Sequence, residues 1–318
     1  MTLKKKPVTG MKDILPAEMQ LRDYVTGLIK ETYKSFGFSP IETPCVEHIE
    51  NLCSKQGGDN EKLIFKIMMR GEKLNLEQAK EEADLTDSGL RYDLTVPLSR
   101  FYANNANDLP APFKALQIGS VWRADRPQRG RFRQFVQCDI DILGEASCLA
   151  EIELILATTT LLGKLNFKDF KVRINERRIL KAMAAYSGFT EDQYDQVFII
   201  LDKMDKIGWD GVKAELLEAG YPEKNVETYV SMFGEMENAK DSLVYLEEKL
   251  SGVLEDGVID NLRMIRESVE ATAAAQFRLI FDPTLVRGMS YYTGTIFEIE
   301  MAEFGSSVAG GGRYDKMI

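Results

Sequence analysis

Between residues 113 and 143 the chain alternates twice, and no other stretch restricts the fold as tightly. Residues 113–123 and 133–143 each read as a strand, with 125–130 as the polar turn between them. Side chains on a strand point to opposite faces with period 2. In the second strand Val136, Cys138, Ile140 and Ile142 therefore share one face, and Arg133, Phe135, Gln137, Asp139 and Asp141 share the other. The apolar row predicts a face packed on a core. The polar row makes a poor core and a good floor for a site.

The flanking sequence supplies helices to pack on such a sheet. Over residues 16–36, Leu21, Tyr24, Val25, Leu28 and Ile29 follow helical spacing, with Pro16 suited to a first turn and Gly37 to a stop. The extended segment after it contains Pro44, which cannot donate to a ladder, so it belongs at an edge or an interface. Residues 57–88 suggest a hairpin with an exposed loop, 97–103 a short helix, and 148–165 a longer one. Alternation returns at 170–174, 277–281 and 295–301. From about 181 to 274 the chain is instead helical in texture and rich in Lys and Glu. The expected architecture is α+β: an antiparallel sheet flanked by helices, with residues 1–180 and 275–318 forming one domain and 181–274 a helical insertion.

Composition narrows the chemistry. The net charge of −10 argues against blanket affinity for nucleic acid but leaves room for a local basic patch. Four cysteines without a C-x-x-C pair are no disulfide framework and suggest the reducing cytoplasm. One histidine, His48, leaves no multi-histidine zinc site, and His48 itself reads as structural. There is neither a membrane-length apolar run nor a secretory h-region behind the basic start. Any catalysis must run on carboxylates, arginines, tyrosines and amides.

Four segments could carry it. Arg123, Arg126, Arg129, Arg131 and Arg133 set five guanidiniums in eleven residues, and guanidinium forks bind phosphates bidentately. A solvated charged hairpin would have the same composition. The stretch 285–298 places Arg287 beside Gly288 and presents Tyr291 and Tyr292, although an ordinary hairpin would serve as well. Gly310, Gly311 and Gly312 would let backbone approach a ligand, or form a flexible loop. In 90–97, Asp93 could bind an ammonium group or merely close a turn.

Taken together these segments resemble one family. GMKDILP at 10–16, FGFSPIETP at 36–44, the 121–141 hairpin, LVRGMSYYTG at 285–294 and GGGRYD at 310–315 are similar to bacterial-type histidyl-tRNA synthetases, class II aminoacyl-tRNA synthetases. The resemblance implies a ligase that uses ATP and Mg2+ to activate L-histidine, charges tRNA(His), and works as a cytoplasmic homodimer with Pro44 at the interface. It implies that Asp93 and Thr95 hold the α-amino group of histidine and that Gln137 meets its carboxylate or amino group. Asp141 would sit near the imidazole, opposite Tyr292, with Tyr291 lining the pocket and Tyr314 closing it. Arg123 and Arg287 would bind the α-phosphate beside the histidine, with Asp125 and Arg131 also on the nucleotide. Arg126 and Gln128 would lie where the tRNA acceptor end enters.

The chemistry is consistent with those roles. Adenylate formation sets an anionic carboxylate against a phosphate, so it needs cations fixed in advance and no strong general base. The resemblance also brings a second reading, the regulatory subunit of ATP phosphoribosyltransferase, which keeps the fold and binds histidine without catalysis. Such a subunit has no need of Arg287 together with the full arginine set of the hairpin. The third motif of class II enzymes and the anticodon-binding domain do not occur within residues 1–318, so the resemblance implies a catalytic-domain fragment of impaired activity.

Overall fold

The computed structural model describes residues 3–53, 58–127, 130–286, 291–304 and 306–317. The chain divides into two compact units, Met1–Ala146 with Met317–Ile318, and Ser147–Lys316.

The first unit begins with α1 (Pro16–Ser35), entered through Pro16 and left through Gly37 at φ +83°. There follow β1 (Ser39–Pro40), β2 (Val46–His48), α2 (Ile49–Cys53), β3 (Lys66–Met68), β4 (Thr86–Leu90), α3 (Thr95–Asn105), β5 (Phe113–Trp122) and β6 (Gln134–Leu143). One sheet has the order β1-β5-β6 and another the order β2-β4-β3. β5 and β6 pair antiparallel without a register break from Phe113↔Leu143 to Trp122↔Gln134, as their alternation predicts. β1 pairs with β5 in parallel at the sheet edge, and exposed Pro44 lies between β1 and β2. Leu98 of α3 packs with Phe113, Ala115 and Leu143 in the local core. His48 ends β2, exposed and opposite Ser88.

Two expectations need correction here. The apolar row of β6 is not its buried face: Val136 is 44% exposed, whereas Asp141 on the polar row is 8% exposed. The cause is the segment 91–95, which lies over the polar row and shields it. The helical stripe of α1 is only partly covered, since Val25, Leu28 and Ile29 are half-buried while Leu21 and Tyr24 are exposed.

The second unit runs α4 (Leu149–Lys164), β7 (Lys171–Glu176), α5 (Arg177–Tyr186), α6 (Tyr194–Leu201), α7 (Met204–Glu218), α8 (Glu223–Asn238), α9 (Ser242–Lys249), α10 (Val258–Thr272), β8 (Arg278–Phe281), β9 (Thr295–Met301) and β10 (Ser306–Gly312). Its sheet has the order β10-β9-β7-β8, with β7 and β8 parallel and the other pairs antiparallel. Val172 and Ile174 of β7, Ile296 and Ile299 of β9, and Tyr229 and Phe233 of α8 belong to one continuous core. The glycine run at 310–312 is the end of strand β10 rather than a loop. A Cβ on Gly312 would stand 2.7 Å from the Thr295 carbonyl oxygen and 2.8 Å from Cδ1 of Tyr292, so only glycine permits this approach.

Candidate active site

The floor of the site is the polar row of β6. The β5/β6 register sets Gln137 against Gly119, Asp139 against Gln117 and Asp141 against Ala115. Small or amide partners leave room above this face, and the chain just after β4 fills it. Gln117 Nε2 donates to the Leu94 carbonyl at 3.1 Å, and its Oε1 accepts from Thr43 Oγ1 at 3.2 Å. Buried Arg91 donates from Nε to the Ser120 carbonyl at 2.9 Å and from Nη1 to the Thr43 carbonyl at 2.6 Å. These bonds fix residues 91–95 across the sheet and so place Asp93.

Asp93 is buried at the start of α3, where its Oδ1 accepts from the Val96 N–H at 3.1 Å. Its Oδ2 is buried with no hydrogen-bond partner among the described residues. Thr95 is the first residue of α3 and is buried beside it. Arg123 donates from Nε to the Tyr92 carbonyl at 3.0 Å, and its guanidinium lies 5.2 Å from the Phe135 ring centroid. Gln137 Nε2 donates to Asp139 Oδ2 at 2.9 Å, while Gln137 Oε1 is buried without a hydrogen-bond partner among the described residues.

The electrostatics tie these groups into one cluster. Burial pushes the Asp93 carboxyl up to about 6, against the Val96 N–H and the Arg123 charge, which pull it down, and with the Asp141 charge adding to the rise. Burial pushes Asp139 up to about 8, helped by Asp141 and Asp93 and opposed by its bond from Gln137 and by Arg123. The structure thus brings together Asp93, Arg123, Gln137 and Asp141 of the expected residues. It adds Asp139, which sequence reasoning had placed on the right face without a role.

The turn beyond the strands is polar and open. Arg133 donates from Nε to the Asp125 carbonyl at 3.0 Å and from its backbone N–H to the Gly10 carbonyl at 2.7 Å. Gly10 has φ +83°, and a Cβ there would fall 2.7 Å from Arg133 Cγ, so the GMKDILP segment is seated tightly on the hairpin. Arg126 and Arg131 are exposed. Gln128 and Arg129 lie outside the described residues, as does Arg287.

The second unit gathers three tyrosines. Tyr291 stands edge-on to Tyr292, with centroids 4.8 Å apart, and to Tyr314 at 6.1 Å. Thr293 donates its N–H to the Arg313 carbonyl at 2.7 Å, extending the pairing of β9 and β10 and ruling out a plain hairpin turn at this point. Arg313 grips Glu151 of α4 through Nε–Oε1 at 2.7 Å and Nη2–Oε2 at 2.8 Å, and Nη2 also donates to the Ser147 carbonyl. That fork holds the chain on which Tyr314 sits. Arg313 and Arg91 both escaped sequence reasoning. Each stands next to a residue that was singled out, and neither partner, a backbone carbonyl or a glutamate 162 residues away, leaves a local signal.

An open cleft of about 430 Å3 in the first unit holds none of the expected residues. It is lined by Asn51, Ser99, Arg100 and Asn104 among others, and Arg100 there pairs with buried Glu47 at 2.6 Å. Burial alone would raise the Glu47 carboxyl, but Arg100, the His48 N–H and Asn51 outweigh it and hold the group low.

Comparison with known proteins points in one direction. The family model for histidyl-tRNA synthetase matches residues 10–318. The histidine–tRNA ligase of Leifsonia xyli subsp. xyli is 47% identical over 320 residues, which take in 98% of this chain and 74% of the relative. The crystal structure of histidyl-tRNA synthetase from Nostoc sp. PCC 7120 is similar with a TM-score of 0.78 at 29% identity, covering 99% of this chain and 70% of that one. An ATP phosphoribosyltransferase regulatory subunit/histidyl-tRNA synthetase from Bacillus halodurans also has a TM-score of 0.78 over 100% of this chain and 78% of that one. Its identity is 22%, so the likeness is one of fold.

Proposed function

The chain belongs to the histidyl-tRNA synthetase family, and from that premise we infer that it is a histidine–tRNA ligase. The histidine carboxylate attacks the α-phosphorus of ATP, the bond to pyrophosphate breaks, and histidyl-adenylate forms. A hydroxyl at the 3′ end of tRNA(His) then attacks the histidyl carbonyl and AMP leaves.

The observation that carries this reading is the pairing of acceptors and a fixed cation on one floor. Asp93 and Gln137 each present a buried, unpartnered oxygen, a setting for an ammonium group. Arg123 is anchored through Nε and by Phe135, so its remaining N–H groups are held ready for a phosphate. Thr95 supports Asp93 at the start of α3, and Asp141 would accept an imidazole N–H. Tyr291, Tyr292 and Tyr314 would enclose the ring, with Arg287 as a second cation at the α-phosphate. Asp125 and Arg131 would meet the rest of the nucleotide, whose Mg2+ enters as part of the substrate. Arg126 and Gln128 would meet the acceptor end of the tRNA.

The regulatory-subunit reading is not favoured, because histidine binding alone gives Arg123 and the exposed arginines of the turn nothing to do. β7 and β8 are neighbours in one sheet, which supports reading 181–274 as an insertion between the two parts of a catalytic domain. The protein acts as a homodimer through the Pro44 segment and α1. Four free thiols suit the cytoplasm, and no helix of the described residues is long and apolar enough to cross a membrane.

The test is histidine-dependent exchange of pyrophosphate into ATP by the complete gene product. Arg123→Ala should lower it by about 10²–10³, the usual cost of one preorganised donor. Arg126→Ala should leave exchange near wild type and slow transfer to tRNA(His). Exchange that ignores histidine, or an Arg126 variant as damaged as the Arg123 variant, would refute the assignment.

A further inference from the structure

A glutamine amide is ambiguous toward an amino acid. It can donate to the carboxylate through its NH2 or accept from the ammonium group through its oxygen, and a half-turn about one torsion exchanges the two. At Gln137 the ambiguity is removed by its neighbour two residues along the same strand face. Nε2 donates to Asp139 Oδ2 at 2.9 Å, which leaves Oε1 as the buried group without a partner among the described residues. Turning the amide over would set two acceptor oxygens against each other at that distance.

The rest of the cluster favours the same outcome. Asp93 Oδ2 is a second buried acceptor without a hydrogen-bond partner among the described residues. Asp93 feels the charges of Arg123 and Asp141, and Asp139 those of Asp141, Asp93 and Arg123. Three carboxyls around one cation would repel a ligand carboxylate and welcome an ammonium, which brings three donors and no acceptor.

We infer that Asp139 is a positioning residue, which holds Gln137 by its N–H so that the Gln137 oxygen, together with Asp93, receives the ammonium group of the amino-acid substrate. This rests on the histidine-ligase reading and settles which end of the amino acid Gln137 meets. It requires no contact between Asp139 and the substrate.

The test is calorimetric titration of the protein with L-histidine and with the des-amino analogue 3-(imidazol-4-yl)propanoate. Asp139→Ala frees the amide to rotate, so affinity for histidine should fall about tenfold while affinity for the analogue stays within about twofold, a tenfold change being about 1.4 kcal/mol. Asp139→Asn combined with Gln137→Glu reverses the pair: the Asn NH2 donates to one Glu oxygen and the other oxygen faces the site, so histidine binding should recover. That double variant also separates positioning from simple damage to the fold. An Asp139→Ala protein that binds histidine as wild type does, one that loses both ligands equally, or a double variant that fails to recover would each overturn the inference. Wild-type protein that binds no histidine would overturn the ligase reading as well, and that result is distinct from the other three.

Discussion

Asp93 and Asp139 are carboxyls held above their ordinary range by burial, to about 6 and about 8. An acid whose folded pKa is raised favours the folded state while it is neutral. Between its unfolded and folded pKa values the folded protein binds a proton that the unfolded chain has released, so stability falls as pH rises across that window. For Asp93 the window runs from the ordinary carboxylate range to about 6, and for Asp139 to about 8. Asp139→Asn keeps the shape and stays neutral. The variant should therefore match wild type near pH 4 and become progressively the more stable of the two as pH approaches 8. Thermal melts of ligand-free protein at several pH values check this, and a stability difference that does not change with pH would show that Asp139 is not buried as an acid. Saturating L-histidine should shrink the difference, because a bound ammonium offsets the cost of the ionised carboxyl.

At the scale of elements, the site depends on a segment that is neither helix nor strand. Residues 91–95 cross the β6 floor, and Arg91 fastens them by donating to the carbonyls of Ser120 and Thr43. Arg91→Met keeps the volume and removes the donors, leaving buried carbonyls unpaired. The loss should be about 2–3 kcal/mol, read as a lower urea midpoint, and histidine affinity should fall with it because Asp93 loses its seat. A midpoint unchanged within error would mean that the fastening matters little. The same segment marks where sequence reasoning stopped. β5, β6 and β9 were legible because alternation is written in consecutive residues, and α3 was legible from its composition. The burial of the polar row was not, since the cover comes from 91–95 and is held by backbone carbonyls, which any residue provides. The strand at Gly310–Gly312 was illegible for the opposite reason: glycines have no side chains with which to alternate. Among site residues, Asp93, Gln137 and Asp141 were legible through the family's motifs and strand parity, whereas the role of Asp139 emerged only from its bond to Gln137.

At the scale of the whole molecule, assembly follows from what a single chain leaves uncovered. α1 carries Leu21 at 63% and Tyr24 at 65% exposure on the stripe that its periodicity marks as apolar. Leu15 and Met19 of the same region are also exposed. An apolar stripe of this kind on a chain of net charge −10 would be covered most simply by a second copy. The charge itself opposes association at low salt, so contact must come from apolar burial, and dimerisation should strengthen rather than weaken as salt is added. We expect a dimer by light scattering at tens of micromolar. Leu21→Glu with Tyr24→Glu should drive it toward monomer, since each buried anchor of this size contributes roughly 1–3 kcal/mol. Both side chains are already in solvent in the single chain, so far-UV circular dichroism and the melting profile of the monomer should hardly change. A wild-type monomer under these conditions, or a double variant that dimerises as well as wild type, would place the stripe outside any interface.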